Sequence, residues 1–274
     1  MSRRLLARLL VASSLLAAPL SAQQPAQAPL ELDHIILAVP PGAQAAVAKL
    51  RAAGFNVTND AQRHTGQGTA SIPVLLDNAY LQLLWIDSTV RRDPANPVDL
   101  ERVRRLPNAS RVGIGVRRAG VPPAPKPTTD AQGLVVRTPP RPLVPLGAVP
   151  ARRYSAPWMP PGTAIQLVRQ PAESLAAELF VVQDEIALPW WVGQVRHEAT
   201  ILLQHPGRWR RVRRVVVHGP TAQMPAALAR LKPARVEWKA ATTSWVEMEL
   251  EGGASAGARR TVDLRPTLPL VLRR

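Results

Sequence analysis

The sequence predicts an α+β protein made of repeated, strand-rich modules. Between residues 32 and 86, the apolar pattern indicates one strand, one helix and three further strands, in that order. A looser version of this order returns near the C-terminus, from residue 212 to residue 251. The 29 prolines among 274 residues argue against long helices and favour short elements joined by stiff connections.

The first 22 residues have the layout of a secretory signal. Three arginines precede an apolar stretch at residues 9–20, and small residues follow up to Ala22. We expect cleavage after Ala22, a flexible leader at residues 23–30 and a periplasmic or secreted mature protein. The alternative is an N-terminal membrane anchor, but the apolar stretch is shorter than the roughly 20 residues that a spanning helix needs.

Residues 31–88 are predicted to form the first module. A nearly continuous apolar run at 32–39 indicates a buried strand, which a proline pair and a glycine end. Apolar residues at helical spacing predict a helix over 43–53, and Gly54 is the residue type that commonly follows a helix end. The remaining predicted strands of the module are 55–58, 69–76 and 80–86.

A linker at residues 89–110, with a short helix at 99–105, is expected to lead into a second module at residues 111–200. The connections of this module are rich in proline, so its helix is predicted to be shortened or lost. Its predicted strands are 111–117, 134–137, 163–169 and 178–183. A third, βαββ-like module is predicted at residues 206–274.

Composition and missing motifs exclude several classes of protein. A chain without cysteine has no disulfide framework, no thiolate chemistry and no cysteine-ligated zinc. The sequence also lacks a serine nucleophile elbow, an HExxH zinc motif, a phosphate-binding loop and a dinucleotide-binding glycine pattern. These absences argue against serine hydrolases, zinc proteases, nucleotide hydrolases and nicotinamide oxidoreductases.

The net charge of +16 comes from an arginine-rich chain and attracts anions. Its most basic stretch is residues 208–214. Because export is predicted, nucleic acid is not an expected partner, and this stretch is a candidate for peripheral contact with an anionic envelope surface. The alternative is a ladder of opposite charges between this stretch and the glutamates at 247, 249 and 251.

Four short segments in order carry a family resemblance. They are LDHIILAV at 32–39, AGF at 53–55, RHTGQGTA at 63–70 and YLQLL at 80–84. Over residues 31–88 the sequence resembles the glyoxalase-like domain branch of the vicinal oxygen chelate superfamily, which includes glyoxalases, bleomycin resistance proteins and extradiol dioxygenases. The resemblance implies repeated βαβββ modules that form a curved, cup-shaped mixed sheet. It does not by itself assign a reaction.

The resemblance also implies where a metal would bind. Metal-dependent members use a histidine on the first strand and a glutamate on the fourth strand of each of two modules. Here His34 takes the first position, but the neutral Gln82 takes the second. If the second module is the partner, its corresponding positions are Arg111 or Val112 and Phe180 or Val181, and none of these binds a metal. If the C-terminal module is the partner, Arg214 stands in place of the histidine, although Glu247 remains. Because an amide removes negative charge and an arginine competes with a cation, we expect no cofactor. A divalent metal at His34 and Glu247 is the disfavoured alternative.

Three residues are candidates for catalysis: His34, Gln82 and His64. His34 acts as a base or donor in the cup, or it is a buried histidine bonded to a neighbour such as Asp33. Gln82 binds a substrate carbonyl or pairs with His34, and in both cases the two side chains should lie close together. His64 reaches a ligand from a glycine-rich loop, or it belongs to an ordinary turn.

These features leave two main hypotheses for function. The first is a metal-free or atypical enzyme of the lyase or isomerase type, and the second is a noncatalytic protein that sequesters a small molecule in the same cup. In both, Tyr80 and Trp85 are the predicted ligand-binding residues. A noncatalytic interaction domain attached to the cell envelope is a third possibility. The sequence determines neither the ligand nor the oligomeric state.

Overall fold

The computed structural model describes residues 28–94, 100–121, 128–136, 140–194, 196–252 and 261–274. The predicted signal segment at 1–22, its cleavage after Ala22 and most of the leader lie outside the described residues. Within the described ranges, no helix is both long enough and apolar enough to cross a membrane.

The N-terminal part of the chain alternates short strands with two helices. These elements are β1 (Leu30–Ala38), α1 (Gln44–Ala52), β2 (Gln62–His64), β3 (Thr69–Leu75), β4 (Tyr80–Ile86) and α2 (Leu100–Arg105). The strand predicted at 55–58 is irregular, and the second strand of the module is β2 instead.

The middle of the chain contains six strands and two helices. They are β5 (Val112–Arg118), β6 (Thr128–Thr129), β7 (Val135–Val136), β8 (Ala151–Tyr154), β9 (Ile165–Val168), β10 (Glu178–Val181), α3 (Leu188–Gln194) and α4 (Arg196–Leu202). A 3-10 helix, Asp184–Ile186, precedes α3.

The C-terminal part forms a sheet of its own. Its elements are β11 (Trp209–Gly219), a 3-10 helix (Thr221–Gln223), α5 (Ala226–Leu231), β12 (Val236–Ala240), β13 (Trp245–Gly252), β14 (Thr261–Asp263) and β15 (Leu270–Arg273). The strand order is β12-β11-β13-β15-β14.

The predicted α+β class with a curved mixed sheet is confirmed. Eight strands form a curled half-barrel in the order β2-β3-β4-β1-β5-β10-β9-β8. We call β1 to β4 the first half-sheet, and β5 with β8, β9 and β10 the second half-sheet. In each half-sheet the first strand pairs in parallel with the last, and the two first strands, β1 and β5, pair antiparallel at the centre. The two half-sheets therefore repeat one strand order.

The second half-sheet differs from the first in the elements that come after its first strand. There β6 and β7 pair only with each other, so the strand predicted around 134–137 does not join the half-barrel. The edge position belongs to β8, which the sequence analysis did not identify. Its sequence, ARRY, has one fully buried side chain, Tyr154, and thus lacks the apolar pattern that marks a strand.

Strand direction corrects the predicted equivalence of Gln82 with Glu247. Strand β4 runs parallel to β1, whereas β13 runs antiparallel to β11. Strand β13 thus relates to β11 as β5 relates to β1, and the position of Glu247 is not the fourth-strand position of a module.

The two faces of the half-barrel have different neighbours. One face packs against α1 and the C-terminal sheet in a large core that includes Ile35, Leu83, Leu50 and Val215. The opposite face carries a second cluster in which Ile36 and Leu84 meet Tyr154 and Phe180 from the other half-sheet. The two edges of the half-barrel approach each other across this face, where the rings of His64 and Trp158 lie 5.1 Å apart, so this second face is the concave one.

Candidate functional site

A β-bulge in β1 places Asp33 beside the ring of His34. Leu32 pairs with Val116 and His34 with Gly115, so Asp33 is an extra residue on its strand. Successive side chains of a regular strand point to opposite faces, and the bulge relaxes that constraint. As a result, Nδ1 of His34 donates a hydrogen bond to Oδ2 of Asp33 at 2.8 Å.

The second half of the molecule holds the carboxylate of Asp33 in place. Nη1 of Arg117 and the backbone N–H of Leu188 each donate to Oδ1 of Asp33, both at 3.0 Å. Burial alone would raise the pKa of Asp33, but its hydrogen bond from His34 and the nearby charge of Arg117 hold that pKa below its ordinary value. An ionised Asp33 keeps the proton of the neutral imidazole on Nδ1 and leaves the lone pair on Nε2.

The imidazole ring of His34 lies in a narrow slot. It stacks on Tyr80 with ring centroids 4.6 Å apart, and the Phe180 ring is 6.5 Å away. A Cβ atom at Gly115 would overlap the ring, since even Nε2 would be only 2.6 Å from it. The residue is 5% exposed, and within the described part of the chain Nε2 has no hydrogen-bond partner.

Gln82 shares the concave face with His34 but does not bond to it. Its Cα partner on β1 is Ile36, two residues beyond His34, and side chains two apart on a strand share a face. Its Nε2 donates to Oγ of Ser71 at 3.2 Å. His34 and Gln82 therefore lie on one face, as predicted. The alternative in which Gln82 pairs with His34 is not observed, because the Gln82 amide bonds to Ser71 on β3 instead.

His64 lies on β2 and joins the same polar group. Its Nε2 is 3.4 Å from Oγ of Ser71, and its Nδ1 is 3.1 Å from Oγ1 of Thr69. Burial lowers the pKa of His64 to about 4, so the ring is neutral near pH 7. Its ring also lies 5.1 Å from that of Trp158, which follows β8. His64 therefore meets the opposite edge of the half-barrel.

The structure places two other candidates outside this site. Trp85 is 5% exposed and packs in the core between α1 and the C-terminal sheet, on the face opposite Gln82. Its predicted ligand-binding role is incompatible with that position, because three residues along a strand reverse the face. Glu247 lies in the C-terminal sheet, where Nε of Arg273 is 3.0 Å from its Oε2 and Nε2 of His218 is 3.8 Å away.

The donor set does not fit a divalent metal of the type that the family resemblance implies. The fourth-strand position is an amide, and the strands facing His34 present Gly115 and Phe180, which offer no side-chain ligand. Among the described residues, no three His, Cys, Asp or Glu side chains are grouped so that they could hold a metal ion.

A groove continues along the concave face beyond Gln82. It contains about 290 Å³ of empty space, part of it open to solvent. Its walls are mainly apolar and come from β1, β4, β5, β10 and α2, with Glu178 and Arg111 among the polar residues.

Sequence reasoning missed several residues of this face. Arg117 and Ser71 had no recognisable motif, and Tyr154 and Trp158 lie in a stretch that the apolar pattern did not mark as a strand. For Trp85, in contrast, the sequence did contain a signal. Side chains alternate along β4, so Trp85 and Gln82, three residues apart, must point to opposite faces.

Comparison with known proteins gives a family match and a set of distant structural likenesses, two of which are described below. Residues 32–141 match the family described as "Glyoxalase-like domain". A hypothetical protein from Staphylococcus aureus is similar at 10% identity and a TM-score of 0.48, over 89% of this chain and 98% of that one. A "xylose isomerase-like TIM barrel/4-hydroxyphenylpyruvate dioxygenase fusion protein" is similar at 11% identity and a TM-score of 0.39, over 82% of this chain and 37% of that one.

The search of curated proteins found no significant match. The family match begins at the second residue after the start of β1 and runs into the second half-sheet, where the strand order repeats. Residues 32–141 of the chain are therefore similar to the glyoxalase-like domain family, and this match covers less than half of the chain.

Proposed function

We propose that the concave face binds a small molecule and that His34 acts on it as a general base, without a metal, in a proton transfer of the lyase or isomerase type. The observation that carries this proposal is the set of hydrogen bonds that fixes the Asp33 carboxylate beside His34. A buried carboxylate with two fixed donors orients the imidazole and directs Nε2 to accept a proton. A histidine base requires this combination of fixed tautomer and fixed ring orientation.

The surroundings of His34 favour a partly apolar ligand. The apolar groove begins at Ile36, directly beyond His34 on the same face, and Gln82 stands next to it with a polar amide. Apolar walls with few fixed polar groups are typical of small-molecule sites. If the predicted signal is cleaved, this site would work in the periplasm or outside the cell. Contact with an anionic envelope surface is the less favoured part of this proposal, because Arg210, Arg213 and Arg214 of β11 pair with carboxylates of this chain.

A noncatalytic binding protein is the second candidate. The 5% exposure of His34 and the Tyr80 ring stacked on it favour this alternative, because a base must reach the proton that it removes. In that case the groove holds the ligand and His34 only shapes the wall.

The two candidates are separated by a ligand screen followed by turnover assays. Purified protein is screened by thermal shift against a metabolite library, and stabilising compounds are then tested for conversion with and without a chelator. We expect conversion that persists in the chelator and that falls roughly 10²- to 10⁴-fold in His34→Gln. His218→Gln, a change on the C-terminal sheet, is the matched histidine control and should retain conversion.

Two results would oppose base catalysis by His34. Conversion that stops in the chelator and returns with one divalent metal would contradict the metal-free proposal. Binding without conversion, with only the affinity changed in His34→Gln, would establish the noncatalytic alternative.

A further inference from the structure

Two buried donors near His64 have no hydrogen-bond partner among the described residues. They are the hydroxyl of Tyr154, whose side chain is fully buried, and Nε1 of Trp158. The Tyr154 hydroxyl faces the side chains of Gln67 and Trp158 but makes no hydrogen bond of ordinary geometry with either. Most buried polar groups in folded proteins are paired, because an unpaired one destabilises the fold. A cluster of such groups therefore points to a partner.

The side-chain amide of Gln67 is a third donor in this cluster, as a series of hydrogen bonds on the first half-sheet indicates. Nε2 of Gln82 donates to Ser71, and Oγ1 of Thr69 donates to Oε1 of Gln67. With both amides oriented this way, the hydroxyl of Ser71 donates to Nε2 of His64, and Nδ1 of His64 donates to Thr69. The series uses the oxygen of Gln67 as its final acceptor. The amide N–H groups of Gln67 are then left as donors beside Tyr154.

The charges around this cluster favour a neutral partner over an anion. His64 is uncharged near pH 7, because burial lowers its pKa to about 4. Arg152 lies over the Tyr154 ring, 5.7 Å from its centroid, and Asp93 acts on the same tyrosine with the opposite charge. The donors are thus not accompanied by a net positive charge, which a buried carboxylate would need.

We infer that Gln67, Tyr154 and Trp158 form a subsite that binds a neutral oxygen acceptor, such as the carbonyl oxygen of an amide or a ketone. Tyr154 also belongs to the apolar cluster of the concave face, together with Ile36 and Phe180. The three donors therefore lie beside the face proposed to hold the ligand, and their use by that ligand rests on the proposed function. In this arrangement the carbonyl oxygen of the ligand accepts hydrogen bonds from Gln67, Tyr154 and Trp158, and the apolar part of the ligand packs against Ile36 and Phe180.

The test uses acetamide and acetate, which have nearly the same shape but differ in charge. Protein labelled with ¹⁵N at tryptophan gives an indole N–H signal for each tryptophan, and Trp158→Phe identifies the relevant one. Trp191 and Trp209 serve as internal controls, because their Nε1 atoms already donate to the carbonyl oxygens of Ile186 and Ala53. We expect acetamide to shift the Trp158 signal in a saturable way and acetate to leave it unchanged.

Tyr154→Phe removes one of the three donors and little else. We expect it to weaken acetamide binding roughly fivefold, as the loss of one neutral hydrogen bond does, and to leave the thermal midpoint unchanged or raised. Gln67→Leu tests a second donor independently and should weaken binding to a similar extent. It also keeps the subsite testable if Tyr154→Phe fails to fold.

Three outcomes would overturn the subsite: no acetamide shift at Trp158, an equal shift with acetate, or equal affinity in both variants and the wild type. The first outcome would mean that only water occupies the cluster. Failure of the proposed function looks different, since it appears as the absence of conversion in the metabolite assays while acetamide still shifts Trp158.

Discussion

The two half-sheets share one strand order but contribute different things to the concave face. The first half-sheet supplies the polar side chains His34 and Gln82, whereas the second supplies Gly115 opposite His34 and Arg117 against Asp33. The two halves of this repeated backbone therefore differ in their side chains. The first half places polar side chains on the concave face, and the second provides the space around the His34 ring and the charge beside Asp33.

This division explains why a search for matched ligands in both modules fails. A histidine or glutamate opposite His34 would occupy the volume that the imidazole ring now fills, since not even a Cβ atom fits at Gly115. The second half-sheet therefore leaves space for a side chain of the first. Substitutions on either side of this contact can measure how much the free energy of unfolding depends on it.

Replacing Asp33 with asparagine should have the largest effect. The change leaves the buried guanidinium of Arg117 without one of its carboxylates, and we expect a loss of about 3 kcal/mol in the free energy of unfolding, measured by urea denaturation at pH 7. Asp263→Asn is the matched control, because its pair with Arg265 is half exposed and should be worth little. A loss below about 1 kcal/mol would show that Asp33 does not link the two half-sheets.

Acidification should destabilise the contact of His64 with the second half-sheet. The folded pKa of about 4 lies below the ordinary 6.5, so between these values the unfolded chain binds a proton that the folded protein does not. Stability should therefore fall as the pH drops from 6.5 to 4, by up to about 3 kcal/mol from this residue. His64→Gln should flatten the pH profile in that window, and an unchanged slope would contradict the burial of a neutral ring.

Adding one methyl group at Gly115 tests whether the second half-sheet makes room for His34. We expect Gly115→Ala to cost about 2 kcal/mol, because the new Cβ overlaps the imidazole ring. Gly113→Ala is the control on the same strand. It should cost less, because the nearest atom to its new Cβ, Cβ of Ile36, would be 3.0 Å away, whereas the nearest ring atom at Gly115 would be 2.0 Å away.

The double variant Gly115→Ala/His34→Ala completes this test. Removal of the ring should relieve most of the cost of the added methyl, which a double-mutant cycle measures as a coupling energy. Strictly additive losses would mean that the glycine serves the backbone and not the ring.

The smallest expected effect concerns the first half-sheet alone. Ser71→Ala separates Gln82 from His64, and we expect a loss of about 1 kcal/mol in the free energy of unfolding, typical of one neutral hydrogen bond. No change in unfolding would indicate that the series of hydrogen bonds does not order the Gln82 amide.

Particular residues show how far the sequence could lead. The apolar runs predicted β1 and β4 and placed His34 and Gln82 on one face, because alternation along a strand is a local property. The same alternation should have removed Trp85 from the ligand-binding residues. Asp33 was considered only as a neighbour of His34, because a bulge of one residue leaves no mark in an apolar pattern.

Other features had no local signal at all. The ARRY segment is a strand through its antiparallel pairing with β9. The direction of β13 is likewise defined by its antiparallel pairing with β11. Such pairings depend on residues far apart in the chain, so a periodic pattern does not report them.

By itself the sequence determined the α+β class and the order of elements in the first module. Composition and periodicity act over a few residues, and they suffice for those conclusions. Only the tertiary structure decided which groups meet: the carboxylate behind His34, the glycine that makes room for its ring, and the unpaired donors of Tyr154 and Trp158. The physical reason is that burial and hydrogen-bond partners arise when distant strands pack together.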